Sequence, residues 1–211
     1  MKISNIQGKI IKKKKVRTAY HEAGHVVTRY LLTGDIKEIE RAHIIKTDDY
    51  SGACEYYKGA FLREDEEIFK NFGEHEYYDI RSEMNFDTFE GFKFVFNEIC
   101  CLLAGGISEM LYCELKRLPR SGMYGDRNDI YSFADNMPDV FPICYNKSES
   151  YSYNGLNAFI ETCTYFLKSF LSTKEAKVQI KNIAEALLKH GKLENSELLE
   201  LLKQPIPILY D

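Results

Sequence analysis

His21, Glu22 and His25 are the residues whose types and spacing could most plainly do chemistry. On an α-helix rising about 1.5 Å per residue, two histidines four apart lie one turn apart on nearly the same face, so their imidazoles can meet at one point. Zinc accepts such nitrogens at about 2.0 to 2.1 Å, and a hydrolytic site adds one further protein ligand and leaves a position to water. Glu22 is rotated by about a quarter turn from His21, close enough to reach that water without occupying the metal. As general base it would take the water's proton while a polarised peptide carbonyl is attacked. Chance produces H-E-x-x-H in roughly one sequence in a hundred of this length and composition. Gly24, inside the same segment, costs a helix about 1 kcal/mol relative to alanine, which predicts that another backbone approaches closely there.

The elements that must position these residues are legible as periodicities. Ala19, Tyr20, Val26, Val27, Tyr30 and Leu31 predict a helix over 18–32, with Gly34 as its stop. From Ile36 to Tyr57, β-branched and aromatic residues around Thr47-Asp48-Asp49 predict a two-stranded hairpin. Residues 58–90 are acidic with little apolar period and read as an exposed insertion. Phe92, Val95, Phe96, Ile99, Leu102, Leu103, Ile107, Met110 and Leu111 then repeat at three and four, the pattern of a long core helix. After the punctuation from Pro119 to Gly125, a helix is expected from Asp126 to before Pro138, and another over Leu156 to Leu171. Ser172 with Glu175 has the spacing of a capping box, Gly191 closes the helix that follows, and a short helix is expected over Leu198 to Leu202. The expected fold is mainly α with a small β component (α+β), a β-hairpin or small sheet lying beside the metal helix.

Composition narrows the class. The 211 residues, 45% hydrophobic and 28% charged, fit one globular domain. A net charge of −4 with mixed signs gives no basic face for nucleic acid. The basic run Lys12 to Lys15 reads as part of a solvated N-terminal arm, residues 1–17, ahead of a domain over 18–203 and a tail over 204–211. The longest uninterrupted apolar stretch, Ile99 to Ile107, is shorter than the roughly 20 residues of a membrane span, and no secretory leader is legible. Cys54, Cys100, Cys101, Cys113, Cys144 and Cys163 form no C-x-x-C pair and read as reduced thiols. A cytoplasmic location is the expectation. His43 and His75 lack metal-ligand spacing to another histidine, and His190 beside Gly191 reads as a helix C-terminal residue favoured by the dipole.

The string His21-Glu22-Ala23-Gly24-His25, preceded by Ala19-Tyr20 and followed by Val26-Val27, resembles the zinc-binding helix of FtsH-type proteases. Leu103-Ala104-Gly105-Gly106-Ile107-Ser108-Glu109 resembles that family's Leu-x-Gly-Gly-Arg-x-Ala-Glu-Glu segment, one residue shorter and with isoleucine in place of arginine. Ser121-Gly122 through Asn128-Asp129-Ile130 resembles its Gly-Ala-x-Asn-Asp-Leu segment, and Ile183 to Leu188 with Glu197-Leu198-Leu199 resembles its closing helices. The segments keep the family's order.

The resemblance implies a zinc metalloendopeptidase with Zn2+ held by His21, His25 and Asp129 and with Glu22 as base. Asp129 would lie in the first turn of its helix, where the dipole favours a carboxylate. Asp126 competes for the ligand position, its other reading being an N-cap. Glu109 is expected to orient a histidine ligand rather than bind the metal. An extended peptide or unfolded segment would pair with the edge of the strand over 51–57. The family carries a membrane anchor and an ATPase module ahead of this domain. Here no G-x-x-x-x-G-K-[ST] loop occurs, since Gly8-Lys9 is followed by Ile10. ATP-independent cleavage is therefore expected. The alternatives are a zinc-binding regulatory or interaction module with weak or no turnover, or a peptidase subunit served by a separate ATPase; the partners expected beside a substrate are further copies of the chain in a homo-oligomer or that ATPase.

Overall fold

The computed structural model describes residues 2–46, 50–56, 89–119, 124–135 and 154–203. The turn Thr47-Asp48-Asp49, nearly all of the acidic segment 58–90, His75, Cys144 and the tail 204–211 lie outside them. The fold is mainly helical with one small antiparallel sheet: α1 (Lys2–Thr33), β1 (Ile39–Lys46), β2 (Tyr50–Tyr56), α2 (Phe89–Tyr112), α3 (Tyr124–Asp135), α4 (Asn154–Phe170), α5 (Lys174–His190), β3 (Lys192–Glu194) and α6 (Asn195–Leu202).

Helix α1 begins at Lys2, well upstream of the expected Thr18, so the basic segment continues the helix that carries His21 and His25 instead of forming a separate arm. Lysine is a good helix former but supplies no apolar period, which is why the sequence pattern starts late. Lys15 is also tied down, its Nζ donating to the Leu188 carbonyl at 3.0 Å. The stop at Gly34 is as expected: φ is 79° and its N–H donates to the Tyr30 carbonyl at 2.8 Å.

Strands β1 and β2 pair antiparallel as the expected hairpin, Ala42 opposite Cys54 and Ile44 opposite Gly52. The short strand β3 adds to the other side of β1, Ala42 opposite Leu193, giving the order β2-β1-β3. Within the sheet β2 is therefore an edge strand. Asn195 Nδ2 donates to the carbonyls of Ile36 (2.9 Å) and Ile39 (2.7 Å), fastening the start of α6 to the entry of β1.

The core lies where α1 packs against α2, α5 and β2, with α4 on the far side of α2. Ala19, Ala23, Val26 and Val27 of α1 are fully buried, as are Ile99 and Ile107 of α2 and Ile180, Ile183 and Leu187 of α5. Phe92–Tyr112 is long and apolar enough to cross a membrane by length and composition, but it is the mostly buried core helix of this domain. The N-cap of α5 is Thr173, not Ser172; its hydroxyl accepts the Ala176 N–H. Gly191, at φ 81°, closes α5 as expected. Cys100, Cys101 and Cys163 are buried free thiols, and Cys54 and Cys113 are half-buried and also free.

Candidate metal centre

Helices α1 and α2 run antiparallel, and their pairings descend in order: Arg17 with Glu109, Gly24 with Ala104 and Ser108, His25 with Cys101, Arg29 with Glu98. Glycines make this approach possible. A Cβ on Gly24 would stand 2.7 Å from the Ala104 carbonyl oxygen and 2.6 Å from Ser108 Cβ, the close backbone approach that its place in the helix predicts. A Cβ on Gly105 would stand 2.5 Å from His21 Nε2 and collide with His25 Nε2 as well. The space in front of both nitrogens is thus kept clear by the absence of a side chain on α2.

His21 and His25, each 7% exposed, set their rings 4.8 Å apart, and the first turn of α3 brings Asp126 to them. Asp126 Oδ2 is 3.1 Å from His21 Nε2, and Asp126 Oδ1 is 3.7 Å from His25 Nε2. One donor atom from each of the three residues lies within 4.8 Å of the others. Ligands on a tetrahedral ion with bonds near 2.1 Å are about 3.4 Å apart, a spacing that the two carboxylate–imidazole separations of 3.1 and 3.7 Å bracket, while the 4.8 Å limit for the whole set is wider. Among the described residues, Asp126 Oδ2 is buried without a hydrogen bond despite its closeness to His21, which suits lone pairs turned towards a common cation.

The resemblance implied Asp129 as the third donor; the structure brings Asp126 beside the two imidazoles, and Asp129, about one turn further along α3, is exposed and outside the cluster. Nor is Asp126 an N-cap, since α3 begins at Tyr124. The two aspartates are about 60° apart around the helix, and the rotation of α3 that buries Ile130 turns Asp126 inward.

The groups behind the histidines fix their rings. His25 Nδ1–H donates to the Cys101 carbonyl at 2.7 Å, which leaves Nε2 as a lone pair facing Asp126. Behind His21, Glu109 Oε2 is 3.6 Å from Nδ1, at ion-pair range, while Glu109 Oε1 accepts from Arg17 Nε. Glu109 thus sits on the far side of His21 from Asp126, where it can orient the ring. Sequence reasoning did not single out Arg17, Gly105 or the Cys101 carbonyl; Gly105 alone had a signal, its place in the Gly-Gly pair of the core helix.

Electrostatics point to a site that attracts positive charge. Burial opposes a charge on His21, but Asp126 and Glu109, with Glu22, outweigh it and push its pKa up to about 10. Burial is the first cause at His25 and lowers its pKa, against the pull of Asp126. Asp126 is held below the usual carboxylate range: burial raises it, but His25 and His21 prevail. Glu22, 4% exposed, is pushed up to about 7, first by burial, with His21 opposing and Asp126 adding. Strand β2 covers it, for a Cβ on Gly52 would stand 2.5 Å from Glu22 Oε1. His43 belongs elsewhere: its Nε2 pairs with Glu55, which Arg41 also binds at 2.8 Å. His190 lies in the last turn of α5, where its charge would suit the dipole.

No protein-family model matches the chain, and no curated protein matches it.

Proposed function

We propose that this chain is a zinc metallopeptidase of the FtsH type that hydrolyses extended peptide segments. His21, His25 and Asp126 would hold the ion. The observation that carries this reading is the convergence of two imidazole Nε2 atoms and one carboxylate, with a buried acid, Glu22, adjoining them but outside the donor set. Zinc, when bound, supplies Lewis acidity, bringing the pKa of water towards about 7 and polarising a carbonyl.

The chain's own residues account for the remainder of the reaction. Glu22 takes a proton from the water that attacks the peptide carbonyl carbon and returns it to the amine as the C–N bond breaks. A carboxyl raised to about 7 by burial exchanges protons readily near neutrality. His25, bonded to the Cys101 carbonyl, and His21, backed by Glu109, keep their donor atoms fixed through the cycle. Strand β2, at the sheet edge and directly over Glu22, offers backbone groups to an extended substrate.

The test is to incubate the purified, zinc-loaded protein with a random peptide mixture. Cleavage should be abolished by a chelator and should fall by about 10²- to 10⁴-fold in Glu22→Gln. Undiminished hydrolysis by that variant would overturn the mechanism. Intact peptides beside a tightly bound metal would overturn the peptidase assignment in favour of a metal-dependent binding module.

A further inference from the structure

One turn beyond His25 on α1, Arg29 meets Glu98 in a two-pronged ion pair: Nη1 to Oε1 at 2.5 Å and Nη2 to Oε2 at 2.8 Å. Both residues are buried, at 3% and 5% exposure. Glu38 approaches the same guanidinium, its Oε2 3.7 Å from Nε. None of these three groups is one of the clustered donor residues. A buried pair of this kind is a weak source of stability, because removing two charges from water offsets most of their attraction, and apolar replacements are often neutral or stabilising. Its geometry, by contrast, is exacting, since a planar fork on a carboxylate tolerates little sliding or rotation.

We infer that the Arg29–Glu98 pair is a positioning device for His25, fixing the register of α1 on α2 at which Nδ1–H reaches the Cys101 carbonyl and Nε2 stays a free lone pair. The two contacts are successive rungs of one antiparallel helix pair. Arg29 is four residues after His25, and Glu98 is three before Cys101. A slide of α1 by a fraction of a turn would break both together. The Arg17–Glu109 pair stands at the opposite end, beyond His21, so the two histidines lie between two arginine–glutamate contacts. Arg17 is a third exposed, whereas the Arg29 pair is enclosed and unscreened by water. The inference rests on the proposed function only in treating Nε2 as a metal donor.

The experiment reads the protonation site of His25 directly, by long-range 1H–15N NMR on the metal-free full chain, and then Zn2+ affinity by competition with a chelating dye. In the wild-type chain His25 should be the Nδ1–H tautomer. Arg29→Met/Glu98→Leu, which removes both charges, should melt near the wild-type temperature yet give a mixed tautomer and bind Zn2+ about ten- to a hundredfold more weakly. Should that variant not fold, Arg29→Lys keeps the charge without the fork and should shift the tautomer population in the same direction. A folded variant of either kind with wild-type tautomer and wild-type affinity overturns the inference. A variant-dependent tautomer in a protein that binds no zinc at all supports the register device and overturns the proposed peptidase instead.

Discussion

The two faces of α2 are built on opposite principles. Towards α1 it presents Glu98, the Cys101 carbonyl, Gly105, Ser108 and Glu109, and it receives Arg29, His25, His21 and Arg17. Towards α4 it presents rings: Phe96 meets Phe166 at 5.1 Å and Phe159 at 6.3 Å, and Phe92 meets Phe159 at 6.0 Å. The fully buried Cys100 and Cys163 thiols also face each other there. Burying an apolar side chain contributes roughly 1.5–3 kcal/mol, while buried charges return little net stability. The lesson is a division of labour along one helix, with the α4 face holding the domain together and the α1 face fixing atoms in place.

Substitutions on the two sides should separate these roles. The largest effect is expected at Leu167 of α4, fully buried in the core: Leu167→Ala should lower the unfolding free energy by about 2–5 kcal/mol, measured by urea denaturation, while zinc affinity of the folded fraction is unchanged. If metal binding weakened in proportion to stability, the separation would fail. On the α1 side, Asp126→Asn should weaken Zn2+ binding by roughly a hundredfold or more with only a small change in melting temperature. Asp129→Asn should bind as the wild type, and the reverse pattern would return the ligand role to Asp129. Smallest is the cap of α5: Thr173→Ala should cost about 1 kcal/mol and spare the metal, whereas Ser172→Ala should cost less, since Ser172 is not the cap.

How much of this could be read without coordinates follows from how local each signal is. The His21/His25 face depends only on helical spacing, and α2 and α5 depend on long apolar periods, so these were legible, as were the Gly34 and Gly191 stops. The choice between Asp126 and Asp129 was not, because it turns on the rotation of α3, which distant packing around Ile130 decides. Strand β3 is three residues long and exists only by pairing with β1, so Leu193-Glu194 carried no strand signal of its own. The N-cap of α5 was read one residue early because Ser172 and Thr173 are both competent caps; with Thr173 as the cap, the third helical residue is Ala176, which cannot complete a capping box. Arg29 looked like an ordinary polar residue within a helix; its partner lies 69 positions away.

The order in which the polypeptide is made gives the packing of α1 a further meaning. Its apolar stripe is sealed partly by α5, and β1 gains its second neighbour only from β3, both near the end of the described chain. At a synthesis rate of about 5–20 residues per second, α1, complete at Thr33, therefore waits for α5, which begins at Lys174, before these neighbours exist. The two imidazoles are thus made first, and the carboxylate that meets them and the helix that encloses them only later, so the three-residue cluster is completed well after its first members leave the ribosome.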